Sequence, residues 1–502
     1  MRSASWSEFP IKGVVGVLAE KEAADLDRLE KAGPLRPDAI EIRADLFEDP
    51  GRAVQLFDIL PEEIPIVFTV RLPAAGGHFA GDEADRIRLY HEALRRGASL
   101  VDAEWETEAA RVLAAERAPL VVSYHDFHGM TEEAHLDHLT HEMETLAPMA
   151  LKIVPTALEP VDGIRMLQWV GRARRDGPRR IGFAMGEAGM PSRILSQAWG
   201  SPFTYAAIGD AVAPGQLSVR EMKGLYRSSR LTRSTRVLGV VGSRAAQAPV
   251  ARLFNPGLLA RGLDAVCVPL CLKSFSEVLP VIETLGIDGL SVLSPFQEDA
   301  LKAADQADER ARSTGAANTL VFERKGGAQP RVFAHNTDPD GILGPLSRRG
   351  IAVGGLSVGI LGTGESARSA AMALRTAGAT VTLYTASIAE AKPVAEALGL
   401  EARSLDSLTK GHHRLLLNAA DPGAQTGDTP PVGPQVFEAG TVAFDTFCGP
   451  LETPFLAAAL SQGAPVIRGF EMVVCRALPQ FKLLTGKDAD HGELEGYLKA
   501  NL

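Results

Sequence analysis

The chain has 502 residues, 45% hydrophobic and 23% charged, as expected for a globular protein with two or three buried cores. Its formal net charge of −10 argues against nucleic acid or an anionic membrane as a partner. No stretch approaches the ~18–20 uninterrupted apolar residues of a membrane-spanning helix, and the first residues lack the apolar core of a secretory signal. Four cysteines in so long a chain are predicted to be small buried hydrophobes in a reducing compartment, without disulfides. We therefore expect a cytoplasmic protein whose partner is a small molecule.

Eight short apolar runs alternate with helical stretches through the first half of the chain. The predicted strands are Gly13–Leu18, Ala39–Arg43, Pro65–Arg71, Ser99–Glu104, Pro119–Tyr124, Met149–Val154, Arg180–Met185 and Phe203–Ala206. Between most of them, stretches such as Glu83–Arg96 and Glu132–Leu146 carry apolar residues at helical spacing. Eight strands alternating with helices over about 220 residues are typical of a (β/α)₈ TIM barrel.

Polar side chains gather where these strands end, which is the edge at which such barrels place their catalytic groups. They are Glu41, Arg43, Arg71, Asp102, Glu104, His125 and Lys152. A lysine at an apolar strand end loses solvation, which favours its neutral, nucleophilic amine. A histidine titrates near neutral pH and can move a proton in both directions. Lys152 and His125 are therefore candidates for imine chemistry, although each alone would also fit a surface lysine or a structural histidine.

Six motifs in this half, between about residues 10 and 225, resemble type I 3-dehydroquinate dehydratase. They are Glu41-Ile42-Arg43-Ala44-Asp45, Phe68-Thr69-Val70-Arg71, Ser123-Tyr124-His125-Asp126-Phe127, Lys152, Met185-Gly186 with Pro191-Ser192-Arg193, and Ala213-Pro214-Gly215-Gln216. The 27-residue spacing from His125 to Lys152 also suits that family.

The resemblance implies that Lys152 forms an imine with the ketone of 3-dehydroquinate and that this imine accepts electrons. His125 would remove the neighbouring proton and then protonate the departing hydroxyl. Arg193 and Gln216 would hold the substrate carboxylate and ring hydroxyls, because the planar fork of an arginine donates two parallel charged hydrogen bonds to a carboxylate. The reaction needs neither a cofactor nor a metal. The rest of the pocket would be lined by Glu41, Arg43 and Arg71.

Two positions in the first half depart from the family pattern. The family usually has a glutamate, placed to orient and polarise the histidine, where this chain has Ala75 before Gly76-Gly77. A small hydroxyl residue usual before Ala-Pro-Gly-Gln is Val212 here, which removes one substrate hydrogen bond. We expect a working dehydratase that is slower or has a shifted pH optimum.

A polar, basic connector at residues 227–236 precedes a second alternation of strands and helices. It lacks the aromatic residues of a nucleic-acid patch. Further on, Ser357–Leu361 reads as a strand that runs into Gly362-Thr363-Gly364 and then an alanine-rich helix. This is the context of a dinucleotide-binding turn, in which a helix N-terminus faces a pyrophosphate, although such turns also occur as plain connections.

Residues 237–502 resemble shikimate dehydrogenase, a family known to occur fused behind the dehydratase. The matching motifs are Gly315-Ala316-Ala317-Asn318-Thr319-Leu320-Val321, Asn336-Thr337-Asp338, Gly362-Thr363-Gly364, Asn418-Ala419-Ala420 and Gly469-Phe470-Glu471-Met472. The resemblance implies a dehydratase barrel at 1–226 and a linker at 227–236. It also implies a two-lobed region, with a substrate domain at 237–340 completed by 475–502 and a Rossmann-like NAD(P)-binding domain at 341–474. Candidate site residues are Asn318, Asp338 and Gln297, and for the cofactor, NADP or NAD, Gly362, Thr363, Gly364 and Thr385.

The departures are more extensive in this second half. The family's catalytic lysine aligns with Gln297, which cannot carry charge or stabilise a developing alkoxide as an ammonium does. Two serines that bind the substrate carboxylate align with Ala246 and Ala248. The arginine that grips the 2′-phosphate of NADP aligns with Thr385, and no neighbouring acidic residue favours NAD instead. A tyrosine and a glutamine of the family align with Cys448 and Arg476.

These changes affect three independent functions of one pocket, so we expect an inactive second half or one with altered specificity. Two alternatives stay open. One is a fully bifunctional dehydratase and NADP-dependent shikimate dehydrogenase, and the other is a non-catalytic binding or regulatory module.

Overall fold

The computed structural model describes residues 9–23, 33–129, 132–209, 215–324, 330–420 and 429–500. The chain divides into two compact units. The first runs to Gly239 and includes residues 243–246 and 264–287, and the second holds the remainder. This division falls close to the predicted connector. No helix among the residues described has the length and apolarity that crossing a membrane requires.

An eight-stranded parallel sheet forms the first unit, as the alternating apolar runs predict. Its strands are Gly13–Leu18 (β1), Ala39–Arg43 (β2), Ile66–Thr69 (β3), Leu100–Glu104 (β4), Leu120–Asp126 (β5), Ala150–Pro155 (β6), Arg179–Gly182 (β7) and Phe203–Ala207 (β8). The order β7-β6-β5-β4-β3-β2-β1-β8 makes a nearly closed barrel, in which β7 and β8 are not paired within the described residues.

Seven helices of the described residues accompany this sheet. They are Glu20–Ala23 (α1), Pro50–Ala53 (α2), Glu83–Arg95 (α3), Glu108–Ala115 (α4), Glu133–Glu144 (α5), Pro160–Gly171 (α6) and Met190–Leu195 (α7). Asp82 begins α3 by accepting a hydrogen bond from the Asp85 amide, and Thr107 begins α4 in the same way. Glu221–Leu225, just before the predicted connector, forms a single π-helical turn.

Two apolar clusters follow the period of two along the barrel strands. Ile40 and Ile42 of β2 belong to the cluster that includes helix residues such as Leu113 and Trp169. Ala39 belongs to a second cluster, which contains strand residues of the barrel such as Val67. Glu41 alternates with Ile40 and Ile42, so it faces the same side of the sheet as Ala39.

The second half contains a mixed six-stranded sheet. Its strands are Arg236–Gly242 (β9), Ala265–Cys271 (β10), Gly289–Val292 (β11), Gln306–Ala307 (β12), Thr319–Glu323 (β13) and Arg331–His335 (β14), in the order β10-β9-β11-β13-β14-β12. β13 runs antiparallel to both β11 and β14. Helices along this stretch are Val250–Ala260 (α8), Leu279–Leu285 (α9), Gln297–Lys302 (α10), Glu309–Thr314 (α11) and Asp338–Arg348 (α12).

The last sheet is parallel and has Rossmann topology. Its strands are Ser357–Leu361 (β15), Thr380–Thr385 (β16), Glu401–Ser404 (β17), Leu415–Asn418 (β18), Val442–Asp445 (β19) and Val466–Ile467 (β20). The order β17-β16-β15-β18-β19-β20 is the 3-2-1-4-5-6 order of dinucleotide-binding domains. Helices of this region are Glu365–Thr376 (α13), Ile388–Leu398 (α14), Pro454–Leu460 (α15), Gly469–Thr485 (α16) and His491–Lys499 (α17). The predicted fold class, a TIM barrel followed by a Rossmann-like region, is confirmed.

Candidate active sites

Lys152 lies in the middle of β6 and is 4% exposed. Its Nζ donates to Asp102 Oδ2 over 2.9 Å and lies 3.7 Å from Glu41 Oε1. The Tyr205 ring of β8 also contacts this amine, with its centroid 4.1 Å from Nζ. Burial lowers the pKa of Lys152, although the charges of Asp102 and Glu41 oppose this shift. Lowering the pKa favours the neutral form that a nucleophilic amine requires.

Asp102 is the anion at the centre of the barrel site and is fully buried. Its Oδ1 accepts a hydrogen bond from Ser123 Oγ at 2.7 Å and lies 3.1 Å from Arg71 Nη2. Burial by itself would raise the pKa of Asp102, but the charges of Arg71 and Lys152 hold it well below its ordinary value. The carboxylate therefore stays ionised between two cations.

The ion pairs continue outward from Asp102 through Arg71. Arg71 Nη1 lies 3.4 Å from Glu104 Oε1, and Glu104 Oε2 accepts a hydrogen bond from Arg86 Nη2 of α3. Together with the groups around the lysine, this makes one chain of six buried side chains in which positive and negative charges alternate. Its members are Arg86, Glu104, Arg71, Asp102, Lys152 and Glu41. Three cations face three anions, so the chain is electrically balanced when the amine is protonated.

Arg43 forms a second ion pair at the same edge of the barrel. Its Nε and Nη2 each donate to Asp45 over 2.8 Å. Asp45 also accepts hydrogen bonds from the backbone amides of Arg71 and His78, both at 3.2 Å. Burial alone would raise the pKa of Asp45, but the hydrogen bond and charge of Arg43 lower it. Asp45 thus ties the strand-end segment of Arg71 to Arg43.

His125 lies near the carboxyl end of β5 and is half-buried. Its pKa lies well below its ordinary value, first because of burial and then because Arg71 and Lys152 repel a second positive charge. From the sequence alone we expected His125 to titrate near its ordinary pKa. The lowered pKa arises from burial, reinforced by the two cations, and it leaves the imidazole neutral and able to accept a proton.

His125 packs against an aromatic side chain. Within the described residues, its buried Nδ1 has no hydrogen-bond partner. The Phe127 ring stacks on the imidazole, with centroids 6.4 Å apart and planes at 15°. Phe127 lies over Gly76, where an added Cβ would overlap its ring. Gly76 follows the 3₁₀ turn Pro73–Ala75, so the missing glutamate at position 75 belongs to the segment beside the histidine.

The two predicted carboxylate and hydroxyl ligands lie after β7 and β8. Arg193 of α7 is buried with its guanidinium carbon 4.5 Å from the Phe183 ring centroid, and burial lowers its pKa to about 10. Gln216 is half-buried and follows Gly215, whose backbone packs so closely on Gly186 that an added Cβ would overlap it. This contact brings the Gln216 segment to the loop after β7. Val212 lies outside the described residues.

Several groups in contact with the predicted residues were not predicted as site residues. Thr69 donates to Glu41 Oε1 over 2.9 Å, and Ser123 accepts a hydrogen bond from Arg71 Nη1 at 2.7 Å. Their positions carried a signal, because Ser123 precedes His125 by two residues and therefore shares its face of β5. Tyr205, which contacts Lys152, and Asp45, which pairs with Arg43, were also not predicted as site residues.

The second half holds its own polar cluster around Asn318 and Asp338. Asn318 Nδ2 donates to Asp338 Oδ1 over 2.8 Å and to Thr337 Oγ1 over 3.0 Å. Gln480 of α16 donates from Nε2 to the Asn318 carbonyl over 2.9 Å, which fixes the segment that carries the amide. Arg476 of the same helix lies 3.4 Å from Asp338 Oδ1. The structure brings together the two residues that the sequence kept.

Gln297 does not join this cluster. It begins α10, and its Nε2 donates to the carbonyl of Val292 over 3.3 Å. The backbone carbonyl of Gln297 accepts a hydrogen bond from the Ala317 amide at 2.9 Å. The amide side chain is therefore engaged with its own strand-end loop. Ala246 and Ala248 lie in the turn between β9 and α8.

Gly362, Thr363 and Gly364 connect β15 to α13, as the dinucleotide-turn prediction requires. Gly362 has a φ of +107°, and an added Cβ there would lie 2.8 Å from the Ala419 carbonyl oxygen, so only glycine fits. Thr385 ends the neighbouring strand β16, and its Oγ1 accepts a hydrogen bond from the Ser387 amide at 3.2 Å.

One acidic residue alters this turn. Glu365 is the first residue of α13 and accepts a hydrogen bond from Ser294 Oγ. A carboxylate at a helix N-terminus takes the position that favours a phosphate. With Thr385 in place of a cation, these residues do not fit the phosphates of NADP. No group of three or more His, Cys, Asp or Glu residues able to hold a metal occurs in the described part of the chain.

Comparison with known proteins agrees with this two-part architecture. Residues 14–233 match the model of the type I 3-dehydroquinase family, and residues 240–320 match that of the shikimate dehydrogenase substrate binding domain. The bifunctional 3-dehydroquinate dehydratase/shikimate dehydrogenase of Arabidopsis thaliana is 27% identical over 485 residues, which cover 91% of this chain and 79% of that protein.

Two bacterial proteins are also similar. The shikimate biosynthesis protein AroDE of Chlamydia pneumoniae is 27% identical over 370 residues, covering 72% of this chain and 73% of that protein. A shikimate dehydrogenase (NADP(+)) of Caulobacter vibrioides is 32% identical over 269 residues, covering 52% of this chain and 93% of its own length. The second half of the chain therefore belongs to the shikimate dehydrogenase family, and it follows a domain that matches the type I 3-dehydroquinase family, as in the bifunctional relatives.

Proposed function

We propose that the barrel converts 3-dehydroquinate to 3-dehydroshikimate through an imine on Lys152, with His125 as general base and then general acid. The observation that carries this proposal is the buried amine of Lys152, which has a lowered pKa and lies 2.9 Å from Asp102. A second titratable group, His125, is near enough for the charge of Lys152 to depress its pKa. An amine and a base with separated roles are what imine-based elimination needs.

The reaction then proceeds through balanced steps. Neutral Lys152 Nζ attacks the ketone carbon, and the adduct takes up one proton from solvent and loses water to leave a protonated imine; the final hydrolysis returns that proton. His125 removes a proton from the adjacent carbon, and the electron pair moves into the imine to give an enamine. The enamine expels the hydroxyl, which takes the proton from His125 and leaves as water. Hydrolysis of the imine releases the product and restores the amine.

The charges around Lys152 support the cationic stages of this sequence. A protonated imine carries the same charge as the ammonium it replaces, so it keeps the balance of three cations and three anions. Asp102 and Glu41 would therefore stabilise the imine as they stabilise the ammonium. Arg193, buried and cationic, is the candidate partner of the substrate carboxylate.

Borohydride reduction tests the imine directly. Added with 3-dehydroquinate, it should leave a stable adduct on Lys152 and stop turnover, and mass spectrometry of peptides should find the added mass on that residue. Lys152→Ala should abolish both trapping and turnover. Lys302→Ala, at an exposed lysine of α10, should change neither. An unmodified Lys152 after complete inactivation would contradict the proposal.

For the second half we propose little turnover of shikimate with either nicotinamide. Gln297 is uncharged and turned toward Val292, and Ala246 and Ala248 lack the hydroxyls that would bind a carboxylate. Each missing hydrogen bond to a charged group costs about 1.5–3 kcal/mol, which weakens binding by orders of magnitude over two positions. The carboxylate of Glu365 at the glycine turn disfavours the nucleotide as well.

Oxidation of NADPH or NADH with 3-dehydroshikimate measures this activity. The expected rate is far below that of the dehydratase half. Replacing Gln297 with Lys, and Ala246 and Ala248 with Ser, should raise it. Robust turnover by the unaltered chain would contradict the proposal and favour a fully bifunctional enzyme. Tight binding of shikimate without turnover would favour a binding module instead.

A further inference from the structure

We propose that Arg476 supplies the positive charge at Asp338 in this chain, so that residues 297 and 476 form a coupled pair. Where position 297 is uncharged, the cation comes from helix α16. The activity assay that tests this inference rests on the proposed loss of shikimate turnover, whereas the thermal measurements that test it do not.

The ion pair between Arg476 and Asp338 carries the argument. Arg476 Nη1 lies 3.4 Å from Asp338 Oδ1, the same oxygen that accepts the hydrogen bond from Asn318 at 2.8 Å. The Asp338 side chain is 11% exposed, and that of Arg476 is 20% exposed. A carboxylate so shielded needs a counter-charge. Arg476 is its cationic partner among the described residues.

Two glycines allow the helices that carry this pair to approach closely. An added Cβ at Gly341 of α12 would lie 3.1 Å from Arg476 Cβ and from the Met472 carbonyl oxygen. At Gly344, one turn along, it would lie 2.8 Å from Cys475 Cβ. Asp338 is the first residue of α12, so the packing of α12 on α16 sets the distance between the two charges.

Only one cation is needed at Asp338. A lysine at position 297 that reached Asp338 beside Arg476 would place two positive charges on one carboxylate. Glutamine at both positions would leave the carboxylate without a counter-charge, which destabilises a protein because the charge stays desolvated. Two combinations have a single cation and are balanced. One is glutamine at position 297 with arginine at position 476, as in this chain, and the other is lysine at 297 with glutamine at 476.

The identity of the cation changes what the site can do. A guanidinium stays protonated at every pH at which proteins fold, so it can hold a hydroxyl or carboxylate oxygen but cannot pass on a proton. Asp338, Asn318 and Arg476 together present an acceptor and donors suited to a hydroxylated carboxylic acid. The pair therefore favours binding of such a ligand over its oxidation.

A double-mutant cycle in the full chain tests the coupling. The four proteins are the unaltered chain, Arg476→Gln, Gln297→Lys and the double variant. All four tryptophans (Trp6, Trp105, Trp169 and Trp199) lie before the connector, so tryptophan fluorescence follows the first unit alone. Calorimetry then identifies the remaining transition as that of the second unit. Each single substitution should lower this Tm by about 3 °C or more, and the double should lower it by less than their sum.

If the decrease in Tm of the double variant equals the sum of the decreases in the two single variants, the proposal is overturned. Lys482→Gln, at an exposed position of the same helix, serves as the matched control and should add to Gln297→Lys without coupling. In an Asp338→Asn background, Arg476→Gln should no longer lower the Tm of the second unit. An unchanged effect of Arg476→Gln there would assign Arg476 to another partner and overturn the proposal as well.

The activity arm uses NADPH and 3-dehydroshikimate. The double variant should exceed Gln297→Lys alone by at least tenfold, because only the double has a lysine at an otherwise uncompensated carboxylate. Equal rates would count against the coupling. High activity of the unaltered chain would overturn the proposed function of the second half, whereas the thermal cycle would still decide the role of Arg476.

Discussion

Lys152 and Asp102 form a buried ion pair in the barrel, with Nζ 2.9 Å from Asp102 Oδ2, and the other carboxylate oxygen of Asp102 pairs with Arg71. The pair comes from strands β6 and β4, which are separated in the sheet by β5. A small set of charges thus links three strand ends before any substrate is present.

Asp102→Asn should destabilise the barrel and impair imine formation. The change leaves Arg71 and Lys152 without their shared anion, and breaking a buried pair costs about 3–5 kcal/mol. It also removes the group that stabilises the protonated imine, so borohydride trapping should fall at least tenfold. Urea unfolding followed by tryptophan fluorescence measures the first effect. Asp58→Asn, at an exposed ion pair with Arg96, should leave both unchanged, and equal behaviour of the two variants would contradict the role of Asp102.

His125→Ala should lower kcat by roughly 10²–10⁴-fold, the range of general acid–base catalysis. Trapping by borohydride should persist because Lys152 is intact. Steady-state kinetics and peptide mass spectrometry separate these two effects. His128→Ala, at an exposed histidine in the segment that follows β5, is the control and should retain activity. If kcat of the His125 variant stays within a few-fold of the unaltered enzyme, another group moves the proton.

Ala75→Glu should raise the pKa of His125. A carboxylate beside Nδ1, which has no hydrogen-bond partner in the part of the chain that the structure describes, favours the imidazolium, whereas burial and nearby cations now disfavour it. The base must be unprotonated to act. The unaltered enzyme should therefore keep its kcat/KM as the pH falls well below 6.5, whereas the kcat/KM of the variant should begin to fall at a higher pH. A pH profile and an NMR titration of the histidine measure the shift. Ala74→Glu, one residue earlier and exposed, should shift it less; equal shifts would show a general charge effect only.

Glu365→Gly should increase affinity for NADPH. The carboxylate at the start of α13 repels the pyrophosphate and accepts the hydrogen bond of Ser294. Its removal should strengthen binding tenfold or more, about 1.4 kcal/mol, as measured by calorimetric titration. Glu396→Gln on the exposed face of α14 should have no such effect. Unchanged affinity would mean that the phosphate site is lost for another reason.

The barrel was predictable because its strands are short, apolar and bounded by helices of regular period. The predicted Gly13–Leu18 and Ala39–Arg43 agree with the structure residue for residue. The ion pairs were not predictable, because they join residues far apart in the chain. Arg86 reaches Glu104 from a helix, and Arg476 reaches Asp338 across 138 positions. Neither pair has a local sequence signal.

The orientation of an amide also escaped prediction. Gln297 was expected in the site because of its position, yet its side chain bonds to the preceding strand end. Glu365, in contrast, stood beside the glycine turn in the sequence, and the structure places it at the helix start, where it accepts a hydrogen bond from Ser294.

The alternating charges of the barrel have a consequence for evolutionary change. Arg86 and Glu104 form the outer end of the chain, away from Lys152, and the loss of either one removes a buried partner of the other, which keeps only Glu83 or Arg71. Replacement of both by apolar residues of similar volume keeps the balance. Among homologous chains, these two positions should therefore covary, whereas the inner members should be invariant because the reaction itself requires them.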